Sequence, residues 1–326
     1  MSSSAITNLQ RLVQSRNLRL LGLDGYDRQE VNIESLIAAG IVHYIDSTTG
    51  PRPNPLQLED FFVFPQVFSW DEQVAVFAQL NALKWDVAMR GWSSYIAIDE
   101  VNADREQTVL RLANAMPQIG AELRRDELQR TIELLNSNPT AYDGQDFFDT
   151  DHEHPDGQSY SNAIQITEAI TDSVASPSSS DVRRLLQSAR HRLHHNTHFR
   201  SRTTRIVGRS QLTIYVYDEE YLKAFQTVLV EEELETPTGR IKNSDRGTFD
   251  LFYSPIYPGP ARKVHVFARN SGFPAVFFVR DRNPWPDTWT GDQVPSGMIA
   301  TGLKSIYGIR VGLPQGAVEY DDYQGG

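Results

Sequence analysis

The chain has no cysteine in its 326 residues, so disulfides and thiolate metal sites are excluded and a reducing compartment suits it. No apolar run approaches the roughly 20 residues needed to span a bilayer. The start, Met1-Ser2-Ser3-Ser4-Ala5, has neither the charged nor the apolar region of a signal peptide, so the expected product is soluble and not exported by that route. Basic residues are in deficit, 31 Lys and Arg against 42 Asp and Glu, and a net charge of −11 excludes a surface that is a nucleic-acid binder throughout. Several catalytic signatures are missing too: the phosphate loop G-x-x-x-x-G-K-S/T, the elbow G-x-S-x-G, the zinc helix H-E-x-x-H and the dinucleotide turn G-x-G-x-x-G. There is no internal repeat and no low-complexity tract. What remains is 40% hydrophobic, enough for a substantial core in two or three compact units.

The most informative stretch lies near the middle. Apolar residues at Val109, Leu112, Met116, Ile119 and Leu123, then after one longer step at Leu128, Ile132 and Leu135, predict a helix over 102–138 with one sunken face. Arg105, Gln118, Glu122, Arg125, Gln129 and Glu133 fall on its wet side. Asp104 and Gln107 suit a capping box, Pro117 should kink the helix, and Asn138-Pro139 should stop it. A helix of about 30 residues spans about 45 Å, more than a compact domain usually needs.

Directly after it comes Tyr142-Asp143-Gly144-Gln145-Asp146-Phe147-Phe148-Asp149-Thr150-Asp151-His152. This stretch resembles the YDGxxFFDTDH sequence of the major head subunit of Mu-like phages, which likewise follows a long helix. Ile306-Tyr307-Gly308-Ile309-Arg310 resembles, more weakly, a YGVR strand near the C-terminus of the same family. One departure is that Glu153-His154 intervene before Pro155, where the family usually has proline directly after the histidine.

The resemblance implies an α+β chain with the phage major capsid fold of the Hong Kong ninety-seven type. Its parts would be an N-terminal arm (1–50), an extended β-hairpin or E-loop (51–100), a peripheral domain built on the long spine helix (101–180), an axial domain (181–297), and a C-terminal strand and tail (298–326). It further implies a non-enzymatic subunit that assembles into hexamers and pentamers of an icosahedral head, formed in the host cytoplasm and present in the virion. The head would enclose double-stranded DNA, with portal, scaffold and decoration proteins as further partners and no membrane or cofactor. An encapsulin-like compartment shell and a metal-dependent hydrolase are the alternatives.

The residues by themselves leave several points open. Ala5–Gln14 and Val31–Ile41 read as amphipathic pieces separated by Gly22-Leu23-Asp24-Gly25, either a helical layer on the body or the arm. A turn-rich boundary at Asp46–Pro55 precedes strands at Phe61–Phe68, Gln73–Phe77 and Ser94–Asp99, which fit either the monomer's own sheet or the hairpin. In the hairpin reading Phe62, Phe64 and Phe68 make contact between subunits. Ser176–Asp181 should cap a helix from Asp181 to His194 that buries Val182, Leu185, Leu186, Ala189 and Leu193. Strands at Leu212–Tyr217, Thr248–Pro255, Val264–Ala268 and Ala275–Val279, with a helix at Glu219–Glu233, predict a mostly antiparallel sheet. The tail Glu319–Gly326 reads as polar and loose.

Two clusters invite chemistry. Asp149, Asp151, His152 and His154 alternate as zinc or iron ligands would, but neighbours on one loop rarely converge on a metal unaided, and short polar residues also suit a turn that caps backbone groups. His194, His195 and His198 suit a solvated helix end. Between Arg183 and Arg209 stand eight arginines (183, 184, 190, 192, 200, 202, 205 and 209) and no acid. They read as a phosphate contact or, preferred here, as partners for acidic faces of neighbouring subunits such as Glu231–Glu233 or the Asp146–Asp156 loop, with Arg200, Arg202 and Arg205 as the assembly candidates.

Overall fold

A computed structural model describes residues 16–29, 32–46, 56–61, 82–99, 106–153, 159–171, 173–197, 212–236, 239–253, 262–269, 273–289 and 295–322. In chain order the elements are α1 (Arg16–Asp27), α2 (Glu34–Ala38), β1 (Val42–Asp46), β2 (Leu56–Phe61), β3 (Ala82–Val87), β4 (Arg90–Asp99) and α3 (Glu106–Asn136). Then come β5 (His152–Glu153), β6 (Ser159–Tyr160), β7 (Ala163–Gln165), α4 (Ser179–Thr197), β8 (Leu212–Val216), α5 (Glu219–Val230), β9 (Glu233–Thr236) and β10 (Gly239–Lys242). The chain closes with β11 (Phe249–Tyr253), β12 (Val264–Ala268), β13 (Val276–Trp289), β14 (Met298–Val311) and β15 (Ala317–Asp321).

Two sheets organise the molecule. The first runs β1-β13-β14-β4, with α3 laid on one face. The apolar period of α3 meets this face as expected: Leu112, Met116, Ile119 and Leu123 bury against Ile299 and Leu303, and Ile132 and Leu135 against Val276, Phe278 and Tyr307. The helix runs continuously through Pro117. On β4, Trp92, Ile96 and Ile98 face the helix, while Ser93, Tyr95, Ala97 and Asp99 face outward, the alternation of a half-covered edge strand.

Gly22-Leu23-Asp24-Gly25 does not separate two pieces; it lies inside α1. The reason is a helix crossing: a Cβ on Gly120 would stand 2.0 Å from the Gly22 carbonyl oxygen, and one on Gly25 would stand 2.1 Å from that of Pro117. Both glycines are spent on letting two backbones touch. The expected helical piece over 31–41 shrinks to α2, which ends before Gly40 at φ 72° and turns into the unforeseen strand β1.

The second sheet runs β11-β8-β12-β15-β7. It is not mostly antiparallel: β8–β12 and β12–β15 are antiparallel, but β11–β8 and β15–β7 are parallel. β7 and β15 arrive from distant parts of the chain and not by hairpins, which permits parallel pairing. β13 leaves this group for the first sheet. Val182, Leu185, Leu186, Ala189 and Leu193 of α4 are all fully buried, packed with Tyr221, Phe225 and Val228 of α5 and the strands beneath. Ser178 and Asp181 cap α4 reciprocally: the Ser178 N–H donates to Asp181 Oδ2 at 3.1 Å, and the Asp181 N–H to Ser178 Oγ at 3.2 Å.

The tail is corrected as well. Residues 317–321 form an interior strand, because Val318 and Tyr320 alternate into the core and Glu319 finds cationic partners. Among the sequence-based strands, 62–68 and 73–77 lie outside the described residues, as does the piece over 5–14.

Candidate assembly site

β2 and β3 pair antiparallel from Leu56 opposite Val87 to Phe61 opposite Ala82, and among the described residues neither strand has a second neighbour. The base of this ribbon is firmly seated. Val87 is fully buried against Val279, with Ile45 and Met89 packed around them. Gly308 lets the ribbon's exit pass close, since a Cβ there would stand 2.7 Å from the Ala88 carbonyl oxygen, and Arg310 Nη1 donates to the Asp86 carbonyl at 3.1 Å. Phe62, Phe64 and Phe68, which follow β2 in sequence, lie outside the described residues.

The segment after α3 is a folded knot, not an open site. Asn138 takes φ 46° at the helix end, a left-handed position asparagine tolerates. Its side chain then clamps Phe148, donating to the carbonyl at 2.9 Å and accepting from the N–H at 2.6 Å. Phe147 and Phe148 are buried edge to face at 4.8 Å. His152 is fully buried, with Nδ1 2.7 Å from Asp143 Oδ2 and Nε2 3.1 Å from the Phe147 carbonyl. Both ring nitrogens are thereby committed within the protein, and no group of three or more candidate ligands gathers among the described residues. Burial pulls the Asp143 carboxyl up, but the hydrogen bond and charge of His152 outweigh it and hold it below the usual carboxylate range. His154 and His198 lie outside the described residues, while His194 and His195 are exposed on α4.

Phe148 stacks at 4.9 Å on His265 of the second sheet, so the knot joins the two sheets. His265 is fully buried and bonded on both sides: Nδ1 lies 2.9 Å from the Tyr217 hydroxyl and Nε2 2.9 Å from Glu319 Oε2. Lys263 Nζ bridges Glu319 at 2.8 Å and Asp321 at 3.2 Å. Burial lowers the His265 pKa despite Glu319. Burial would raise that of Glu319, but His265 and Lys263 together bring it down.

A biphasic acid response follows. A histidine whose folded pKa is depressed favours the folded state above its unfolded pKa, near 6.5, and that contribution is lost as pH falls further. Depressed carboxylates such as Asp143 and Glu319 keep theirs until pH drops below about 4. Urea midpoints should therefore start to fall below about pH 6.5, with unfolding free energy dropping by at most about 1.4 kcal/mol per pH unit from His265. His265→Gln should flatten this first limb, and an unchanged first limb would refute the assignment.

The arginines of α4 are drawn onto their own chain, contrary to the expectation that they wait for a neighbour. Arg183 Nε and Arg190 Nη1 grip the two oxygens of Asp245 at 3.2 and 2.7 Å, Arg184 reaches Thr171 and Asp181, and Arg192 lies 3.7 Å from Glu168. Of their proposed acidic partners, Glu232 is instead paired with Arg246. The reason is position: the loop after β10 carries Asp245 back over α4, a contact invisible in local sequence. Arg200, Arg202, Arg205 and Arg209 lie outside the described residues.

A feature that sequence reasoning missed holds the helical side. Arg280 of β13 donates to Glu127 Oε2 at 2.7 Å, and Tyr26 of α1 donates to Glu127 Oε1 at 2.6 Å. The same hydroxyl accepts from Arg280 at 2.5 Å and from Arg124 at 2.9 Å, so its donor and both lone pairs are used. Burial, foremost, keeps Tyr26 protonated. The signal was the longer step between Leu123 and Leu128, where charged residues take core positions.

Residues 61–177, which contain the knot, match the family model of the Mu-like prophage major head subunit gpT. In fold, the chain is similar to the capsid structure of cyanophage P-SCSP1u, with a TM-score of 0.51 at 12% identity over 85% of each chain. It is also similar to a virus-like particle from Pyrococcus furiosus, with a TM-score of 0.49 at 12% identity, covering 93% of this chain and 97% of that one. The bacteriophage JBD30 procapsid gives a TM-score of 0.46 at 12% identity over 100% and 77% of the two chains. No curated protein matches the chain by sequence.

Proposed function

We propose that this chain is a major head subunit of the Mu-like kind, which assembles with copies of itself into the hexamers and pentamers of an icosahedral head that encloses double-stranded DNA. It acts as wall material and not as a catalyst, is assembled in the host cytoplasm and is carried in the virion, with portal, scaffold and decoration proteins as its further partners. One observation carries the reading: an antiparallel ribbon is seated firmly at its base yet has no third strand among the described residues. A two-stranded ribbon is marginal in water by itself. A neighbouring copy supplies the missing surface, and Phe62, Phe64 and Phe68 make that contact. Arg200, Arg202 and Arg205 contribute a second one. Weak contacts of this kind become a stable shell because many are made at once.

The test is electron microscopy of the purified protein beside a variant in which residues 62–81 are replaced by a short turn. The full chain should give hollow closed shells. The shortened chain should keep its melting transition while shell yield falls by about tenfold or more, since each subunit loses a contact repeated around the shell. Normal shells from the shortened chain would sink the role assigned to the ribbon.

A further inference from the structure

A second site lies apart from the ribbon. A cavity of about 380 Å³ opens between the last two turns of α4 and the segment beyond the knot. Its walls are formed by His191, Arg192, His195 and Asn196 of the helix and by Thr150 and Ser159 of the facing segment. His191 and His195 are one helical turn apart, as are Arg192 and Asn196, so two adjacent stripes of donors look into one space. Among the described residues no carboxylate lines it. The carboxylate nearest to Arg192, Glu168 at 3.7 Å, is a largely exposed partner, and such pairs are held weakly.

We propose that this cavity binds a phosphate oxyanion, supplied either as free phosphate or by a nucleic-acid backbone. A tetrahedral oxyanion accepts from several directions at once, which suits donors converging from two walls better than a planar carboxylate would. Asn196 is almost fully buried; one amide hydrogen goes to the Ser161 carbonyl at 3.1 Å, which fixes the side chain and leaves the other hydrogen to donate. The Ser161 hydroxyl, also in the wall, is spent on the Ala163 carbonyl at 3.0 Å and is not a donor to the anion. The helix end itself opposes an anion, because the C-terminal pole carries partial negative charge. Binding therefore rests on the side chains, and their removal should abolish it.

The experiment is calorimetric titration of the full chain with sodium phosphate at low ionic strength, repeated with Arg192→Gln and His195→Gln and with melting curves for each. Wild type should bind saturably, and each substitution should weaken binding by about tenfold, the size of one charge-assisted hydrogen bond. Thr150→Ala with Ser159→Ala provides a milder variant should either substitution upset folding. Short single-stranded DNA is then added to the phosphate-bound protein. Displacement identifies the backbone as the source, and phosphate binding that DNA leaves untouched identifies the free ion. Absence of saturable phosphate binding by wild type, or equal binding by the folded variants, would overturn the proposal.

Discussion

Glu127→Gln is expected to lower the unfolding free energy by about 3–5 kcal/mol, the usual consequence of removing one partner from a buried ion pair. The substitution keeps the shape of the side chain, so the loss reports charge and not volume. Glu127 is fully buried and Arg280 is 3% exposed. Without the carboxylate, Arg280 and Arg124 both remain beside the Tyr26 ring, 5.6 and 4.7 Å from its centre, with no buried anion to share. Glu34, at 2.5 Å from Arg124, cannot replace it, because its side chain stands at the surface. The companion variant Glu127→Leu with Arg280→Met should lose less than Glu127→Gln alone, since the most deeply buried cation then leaves with its anion and Arg124 keeps Glu34. Urea unfolding of the three proteins measures this, and a single-variant loss below about 1 kcal/mol, the scale of a surface pair, would remove the cluster's claim to hold α1, α3 and β13 together.

That cluster also shows where the sequence was legible and where it was not. Helical faces that bury only apolar residues were readable from spacing: Leu112 to Leu123 on α3 and Val182 to Leu193 on α4 lie where the period puts them. The same rule stumbled at Glu127 and Thr131, both fully buried, because a polar residue at a core position is indistinguishable from a phase shift until its partner from β13 is known. β1 was hidden for a similar reason. Five residues, Val42–Asp46, carry little periodic signal, and their strand character comes from parallel pairing with Val276–Arg280 near the other end of the chain. Gly22 and Gly25 were misread as a break because glycine weakens isolated helices, while here it permits contact between two helix backbones.

The candidate site was legible in kind more than in detail. The stretch from Tyr142 to His152 lies within the residues that match the Mu-like head-subunit model, and its histidine and the neighbouring Asn138 are engaged in hydrogen bonds of a folded turn. The arginine-rich run was weighed as one unit, yet Arg183, Arg184 and Arg190 are engaged internally by Asp245, Thr171 and Asp181, while Arg192 makes only a long, exposed pair with Glu168. Charge density along a sequence does not say which charges are already paired.

Phe148→Ala should be the most damaging single change within the family-like stretch, costing about 3–5 kcal/mol, as truncation of a buried aromatic does. Phe148 is 3% exposed and belongs to a core drawn from both sheets, with Tyr217 and Phe267 on one side and Ala275 and Phe278 on the other. Its ring stacks within 15° of the plane of His265, and its backbone is clamped by Asn138 at the end of α3. Three parts of the fold thus meet at one side chain, and a cavity there cannot close by moving one wall without disturbing another. Phe148→Leu, which leaves a smaller void, should cost less than half as much. Urea midpoints of the two variants decide the matter. If the stretch were instead built around a metal or a substrate, its phenylalanines would be replaceable linings, and a loss within about 0.5 kcal/mol of zero, the range of ordinary surface changes, would favour that view over a joint between sheets.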